Sequence, residues 1–346
     1  MGTGKIKRWG NSGRAPFALV VALLLIVGNL GIGRAAPAAA SRSNAASDTL
    51  IYPLAQATLW AGTLDPSLIT SLIDGDIVQK VYAGLLKQSY DDKTQQFNVV
   101  PDLAAGMPTV SKDGLTYTFK IRPDAAFSDG TPVTAQDFIY SFQRVLDPKA
   151  NSPANYYLFD IKGAQDYAAG KSKTLGLKAV DSHTLQITLY HRAVYFLQVV
   201  TYPTFFVVEP TLKVGAPITT TPSLFVGAGP WMLKNGNWNY RSKIILVPNP
   251  HYYNAKNFKL KEIDIEFTGT SDAMLAGYRG GQFPIAWLPS GDVKTYRGHP
   301  DFHETVVLGD VWYAMNVNIA PFNNKNFRLA VAYAINRNAI TKGVLN

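Results

Sequence analysis

Residues 111–148 read Ser111-Lys-Asp-Gly-Leu-Thr-Tyr-Thr-Phe-Lys-Ile-Arg122, then Phe127-Ser-Asp-Gly-Thr-Pro-Val-Thr-Ala-Gln-Asp-Phe138, then Ser141-Phe-Gln-Arg144 and Leu146-Asp-Pro148. From Thr116 to Ile121 the chain alternates, with Tyr117, Phe119 and Ile121 on one side and Thr116, Thr118 and Lys120 on the other, the pattern of a half-buried strand. Ser128-Asp-Gly-Thr-Pro132 is a turn in which Gly130 takes φ > 0 and Pro132 stiffens the exit, and Asp129 is placed to hydrogen-bond nearby backbone rather than to act as a general base. Thr134 caps a helix, with Asp137 where a capping box puts its acid. Phe138, Phe142 and Val145 form its buried stripe, and Pro148 prevents continuation. The two apolar stripes match in phase, so Thr116–Ile121 and Thr134–Leu146 are expected to pack together.

Outward from this stretch, Asp74 or Gly75 starts a helix that places Ile77, Val78, Val81 and Leu85 on one face. Strands are expected at Leu185–Leu189, Lys243–Val247, Ile263–Phe267 and Val311–Val317. Asn323 or Asn324 caps a final helix through Phe327, Val331, Ala334 and Ile335. Strands and helices mix without a regular βαβ repeat, and no internal repeat is present.

The first residues describe export. Lys5, Lys7, Arg8 and Arg14 form a positive n-region, Ala15 to Gly33 is almost wholly apolar, and Ala35-Ala-Pro-Ala-Ala-Ala40 offers small residues for a signal peptidase, with cleavage near Ala36–Ala40. The alternative is an uncleaved anchor, since Ala15–Gly33 is long enough to span a bilayer that needs roughly 20 helical residues. Either way the body lies outside the cytoplasm. Residues 41–46 are small and polar and read as a linker.

The net charge of +9 overstates the basicity of the body. Five of the positive charges are Lys5, Lys7, Arg8, Arg14 and Arg34, with no acid among the first 40 residues, which leaves +4 for the rest. Basic residues there are scattered rather than run together, so no nucleic-acid footprint forms. The chain contains no cysteine, which excludes disulfides, thiolate metal sites and a thiol nucleophile. His299-Pro-Asp-Phe-His303-Glu304 is the best metal-like cluster, but Pro300 and Thr305-Val-Val argue for an extended segment, which separates the two histidines. His183, His191 and His251 are isolated. No His-Glu-x-x-His motif or nucleophile elbow occurs. Gly227-Ala-Gly-Pro-Trp231 lacks the Lys-Ser/Thr of a phosphate loop, and Pro230 removes a donor, so it reads as a structural turn. Neither a cofactor nor an enzymatic activity is indicated.

Residues 111–148 closely resemble the solute-binding proteins of peptide-import ABC transporters, solute-binding protein family 5, the branch that takes oligopeptides, dipeptides and nickel chelates. Further segments carry the resemblance in the family's order: Leu64-Asp-Pro66 with Val81-Tyr-Ala-Gly-Leu-Leu86, Pro101-Asp-Leu-Ala104, Gly227-Ala-Gly-Pro-Trp231, Asn249-Pro-His-Tyr252, Pro321–Ala330 and Ala334-Ile-Asn-Arg337. Asn324 and Asn336 stand where the family usually has acids. The family often carries a lipid-modified cysteine after its signal; this chain has none.

The resemblance implies a mixed α/β fold, a periplasmic-binding-protein-like type II clamp with an extra domain, its second lobe largely missing. It places residues 1–40 as signal peptide or N-terminal membrane anchor, 47–82 and 214–310 in lobe one, 83–213 in the extra domain, and 311–346 at the start of lobe two. The implied function is capture of peptide and delivery to a membrane permease, by a protein that is monomeric when complete and binds no nucleic acid. In the family the loop after Leu-Asp-Pro lines the cleft. Here it is Ile69–Ile73, with Thr70 and Leu72 at the lining positions; Leu72 alternatively packs into lobe one. A family tyrosine after Ser-Pro is replaced by Ala154, leaving Tyr156 or Tyr157 to reach the same place unless their rings belong to the core. The family's acid for the ligand's amino terminus has no match in this chain. A secreted hydrolase is a competing reading, as the 12% aromatic content could stack on sugars, but no paired acids support it. A membrane-tethered interaction or sensor module reusing the same lobe is the third.

Overall fold

The computed structural model describes residues 48–55, 64–69, 72–91, 93–94, 96–216, 225–239, 243–304 and 314–341. The expected signal or anchor segment, the linker and Thr70 lie outside them. In chain order the elements are β1 (Thr49–Leu54), α1 (Leu72–Val81), β2 (Leu86–Asp91), β3 (Gln96–Pro101), β4 (Thr109–Val110), β5 (Thr116–Lys120), α2 (Ala135–Leu146), α3 (Ala164–Ala168), β6 (Leu177–Asp181) and β7 (Thr184–Thr188). They continue as α4 (Phe196–Val199), β8 (Trp231–Asn239), β9 (Lys243–Pro248), β10 (Glu262–Phe267), α5 (Ser271–Arg279), α6 (Val293–Tyr296), α7 (Lys325–Ala334) and α8 (Arg337–Ala339).

Three sheets result: β1-β10-β9-β8, the hairpin β2-β3, and β4-β5-β7-β6. The first sheet is discontinuous in sequence. β1 pairs parallel with β10, Thr49 opposite Glu262 through Leu54 opposite Phe267, while β10, β9 and β8 pair antiparallel. The chain therefore leaves this sheet after one strand, builds the other two, and returns at Trp231.

The 111–148 stretch folds largely as its pattern demands. Asp113 accepts from the Leu115 N–H at 3.0 Å, and Ser111 Oγ accepts from the Thr116 N–H at 2.9 Å, closing a tight turn at Gly114 with φ 72°. β5 buries Tyr117 and Phe119, and Ile121 follows, also buried. Asp129 accepts from the Thr131 N–H at 2.9 Å, a backbone bond of the expected kind. Asp137 accepts from both the backbone N–H and the hydroxyl of Thr134, each at 2.8 Å, and so fixes the start of α2. The strand and helix share one core, and α2 lies mainly across β7, which pairs with β5, and β6, the strand beyond it.

Two hydrophobic clusters form. One runs from Ala83 to Ala228 and centres on Phe119, Phe138, Phe142, Phe196 and Phe205. The other combines Leu54–Tyr82 with Phe206–Ile265. In the first, Phe142 meets Phe205 edge-on at 5.3 Å and Phe138 at 6.2 Å.

Three expectations need correction. The helix expected from Asp74 or Gly75 starts at Leu72 and stops at Val81, leaving Leu85 buried beyond its end. It stops because the Val81 carbonyl accepts from Gly229 N–H at 2.9 Å instead of continuing the helical ladder. Glycines at 227 and 229 permit that approach, since a Cβ at either position would collide with the Val81 backbone. The strand expected at Val311–Val317 is not formed in its described part: Ala314–Asn316 is irregular and Val317 lies in a turn. Asn324 does cap α7, accepting from Asn326 N–H at 2.8 Å, but the helix ends at Ala334 and Ile335 is extended. Asn336 caps α8 in the same way through Ala339 N–H at 3.0 Å. Asparagine thus replaces an acid at both caps without loss of capping chemistry.

Replacing Phe142 by Ala is expected to cost about 3–5 kcal/mol, since it removes a fully buried ring from an edge-packed triplet. Urea unfolding measures it; a loss below about 0.5 kcal/mol, typical of a surface site, would contradict this placement.

Candidate ligand-facing cavity

Ser141-Phe-Gln-Arg144 gives α2 two faces. Phe142 enters the first core, and Tyr140, Ser141 and Arg144 face the other way. There Tyr140 donates to the Leu212 carbonyl at 2.9 Å, Ser141 Oγ accepts from the Val208 N–H at 2.9 Å, and Arg144 Nε donates to the Leu212 carbonyl at 3.0 Å. The guanidinium forks onto Asp65, with Nη1 to Oδ1 at 2.7 Å and Nη2 to Oδ2, in a pair whose side chains are 3% and 4% exposed. Burial works to lower the Arg144 pKa, and the hydrogen bond and charge of Asp65 outweigh it and hold it above its usual value.

Asp65 is the Asp of Leu64-Asp-Pro66. It also accepts from the Ser67 N–H at 2.9 Å and from Ser67 Oγ at 2.7 Å, closing the Pro66–Leu68 turn. The Ser67 carbonyl accepts in turn from Ser152 Oγ at 2.5 Å. The start of the loop after Leu-Asp-Pro is thereby fixed against α2 and against the Ser152-Pro153 segment.

A cavity of about 490 Å³ opens beside it. Ile69 and Gly75, which bracket Thr70 and Leu72 in sequence, line it, with Gln79 and Tyr82 further along α1. Tyr202, Pro203 and Phe206 form an apolar wall, and Lys87, Gln88, Asp102 and Tyr252 form a polar one.

The polar wall is a closed cluster. Asp102 Oδ1 accepts from Lys87 Nζ at 3.1 Å, Tyr252 at 2.9 Å and Tyr253 at 2.9 Å. Lys87 Nζ also donates to both phenol oxygens, at 3.3 and 3.1 Å. Burial pushes the Tyr252 phenol far up, and the Asp102 charge adds to it. Burial works to lower Lys87, but the facing carboxylate keeps it above its ordinary value. The Arg122 guanidinium lies 4.0 Å over the Tyr253 ring.

Of the expected contact residues, Thr70 lies outside the described residues and Leu72 opens α1. Tyr156 and Tyr157 sit together in the turn Asn155–Leu158, ring centroids 4.4 Å apart, and Tyr157 stacks on Tyr202 at 4.1 Å. Tyr202 lines the cavity, so the tyrosine pair reaches it through one ring. Tyr156 is 54% exposed, whereas Tyr157 packs partly against the first core. The hydrogen bond to Tyr157, then burial, pushes the Tyr156 phenol up to about 12. Lys87, Gln79 and Tyr202 were not singled out from sequence. Asp102 and Tyr252 lie in quoted segments, Pro101–Ala104 and Asn249–Tyr252, but nothing in either signals that they meet across 150 residues.

A mixed α/β fold whose first sheet is interrupted in sequence by two further sheets is that of the type II binding-protein clamp. Residues 98–346 match the family described as bacterial extracellular solute-binding proteins, family 5 middle, and the chain belongs to that family. It is 27% identical over 291 residues to the oligopeptide-binding protein OppA of Bacillus subtilis, covering 82% of this chain and 52% of the relative. The solved structure of the Escherichia coli murein tripeptide-binding protein MppA superposes with a TM-score of 0.73 at 28% identity, covering 86% of this chain and 57% of that one. Haemophilus influenzae OppA, solved in complex with the peptide RPPGFSPFR, gives a TM-score of 0.74 at 25% identity, covering 86% and 58%. The chain thus spans somewhat over half the length of these relatives.

Arg144→Met is expected to destabilise by about 3–5 kcal/mol, because it leaves Asp65 charged and buried without its partner. Adding Asp65→Leu to it is expected to recover a large part of that loss. Urea unfolding of the two variants checks this; a double variant no more stable than the single one would refute the pairing argument.

Proposed function

We propose that this chain is the extracytoplasmic substrate-binding component of an ABC importer, taking peptides and delivering them to a membrane permease. The observation that carries the reading is the family match over residues 98–346, together with a relative of the same fold solved with a peptide bound.

In this reading residues 47–82 and 214–310 form lobe one, 83–213 the extra domain, and 311–346 the start of lobe two. The separation of the two hydrophobic clusters supports that division. Residues 1–40 act as the export signal or as an anchor through 15–33. Among the described residues no helix is long and apolar enough to cross a membrane. Thr70, Leu72, Tyr156 and Tyr157 contact the ligand from one side. The proximity of Ile69, Gly75 and Tyr202 around one cavity favours such a shared surface. Peptide recognition needs main-chain partners, roomy pockets and a charge partner for the amino terminus, and no catalytic group.

A clamp gains affinity by enclosing its ligand between two preorganised walls. A ring packed on an enclosed ligand contributes contact and excludes water, so Tyr157→Ala is expected to weaken tri- to pentapeptide binding by roughly 10-fold or more in isothermal titration. Unchanged binding in Tyr157→Ala would remove the tyrosine pair from the contact surface.

A further inference from the structure

The 490 Å³ cavity has a chemistry of its own. Lys87 carries three N–H donors, and all three are used, on Asp102 Oδ1, Tyr252 and Tyr253. Every hydrogen bond that Asp102 accepts on its side chain falls on Oδ1. Among the described residues Oδ2 accepts none, and the residue, 6% exposed, lines the cavity. A carboxylate oxygen has lone pairs that a ligand's donor or a water entering the cavity fills. The cavity thus holds an open acceptor in its wall.

The charge of that wall selects what fills it. Lys87 and Asp102 neutralise each other, and among the described residues they are the only charged side chains lining the cavity. An anionic ligand finds no spare donor on Lys87. A cationic one approaches a carboxylate already compensated by an ammonium 3.1 Å away. A neutral donor satisfies Oδ2 without bringing an unmatched charge beside a carboxylate that is 6% exposed. Gln79 and Gln88 line the cavity as well and offer amide donors to an acceptor on the same ligand. Tyr202, Pro203 and Phe206 give an apolar wall for its body.

We infer that this cavity is a binding site for a small neutral amide with an apolar or aromatic body, its N–H donated to Asp102 Oδ2. The site goes beyond peptide capture between two lobes. Its described lining residues all lie between Ile69 and Tyr252.

Gly75 provides the means to test it. It lies inside α1 and lines the cavity, yet a Cβ built on it meets nothing within 4 Å. Gly75→Leu therefore starts a side chain from a Cβ position that is clear of described neighbours and borders the cavity, and it replaces a poor helix former by a good one. The probes are N-acetylphenylalanine amide (neutral), phenylalanine amide (cationic) and N-acetylphenylalanine (anionic), titrated into the 346-residue protein by calorimetry and followed by saturation-transfer NMR. The neutral probe is expected to bind with Kd below about 1 mM, and each charged probe at least roughly 10-fold more weakly, because it brings an unmatched charge beside a largely buried carboxylate. Gly75→Leu is expected to lose the neutral probe by roughly 10-fold or more while its Tm stays equal or rises, because the cavity is filled and the helix strengthened. Asp102→Asn leaves Lys87 uncompensated and is expected to shift preference toward the anionic probe. Failure of the neutral probe to bind, equal binding of all three probes, or undiminished binding in Gly75→Leu would each overturn the inference.

Discussion

The buried fork of Arg144 on Asp65 is the constraint on which the arrangement around the cavity depends. It joins three stretches that are far apart in sequence: the turn at Pro66–Leu68, helix α2, and the segment at Leu212–Lys213 that follows the inserted sheets. Such a pair adds little net stability, because removing two charges from water offsets most of their attraction. Its effect is on geometry. Once Arg144 is buried, only one placement of Asp65 satisfies it, and Asp65 in turn sets the Ser67 turn through two further bonds. The loop that follows, with Ile69 at the cavity edge, departs from a fixed point. Tyr82 belongs to the same neighbourhood: burial raises its phenol pKa first, the Asp65 charge next, and Arg144 opposes both.

The second constraint is steric. Helix α1 ends where Gly227 and Gly229 press against the Val81 backbone, and Gly229 takes the carbonyl that a further turn would have used. This approach brings Pro230 to the cavity and sends Trp231 into β8, while Asn249 Nδ2 donates to the Gly229 carbonyl at 2.9 Å. Tyr252, three residues past Asn249, then reaches Asp102. A turn whose glycines serve only close packing thus sets the polar wall of the cavity, which is why its sequence resembles a phosphate cradle without the chemistry of one.

Much of the fold is legible where the signal is local. The alternation at Thr116–Ile121, the acid three residues after Thr134, and the cap at Asn324 each act within a few residues, and each forms. Ser141 and Arg144 were legible only as parts of a motif: their type says nothing about the backbone groups near residues 208–213 that they hold. The bounds of α1 depend on a carbonyl contacted from residue 229, and no periodicity within 72–85 encodes that. The irregular Ala314–Val317 shows the converse, since a run of strand-forming residues becomes a strand only with a sheet neighbour to pair with, and its described part pairs with none. Of the cavity, the loop after Leu64-Asp-Pro66 was legible through Ile69, whereas the tyrosines at 156 and 157 stand behind its wall, Tyr157 stacked on the lining Tyr202. The Lys87–Asp102–Tyr252 cluster was not legible, because it is created by tertiary contact between two segments that look unrelated in sequence.

α7 extends this argument to the surface. Its apolar residues Phe327, Leu329 and Tyr333 are 41%, 43% and 85% exposed, and no residue of the helix is buried. A helix whose stability comes from packing an amphipathic face gains little from that source here. Its order rests instead on local terms: the Asn324 cap, the edge contact of Phe322 with Phe327 at 5.6 Å, and the Arg328 guanidinium donating to the Phe322 carbonyl at 2.6 Å. Ten residues with such supports are marginal in water, and the hydrophobic contribution to α7 stays unrealised until another surface covers that face. The cavity beside α1 differs in kind, because each of its walls is anchored in a packed core or in a closed hydrogen-bond cluster. A preorganised cavity and an uncovered helix follow from the same rule: an element is fixed only by the partners it has already met.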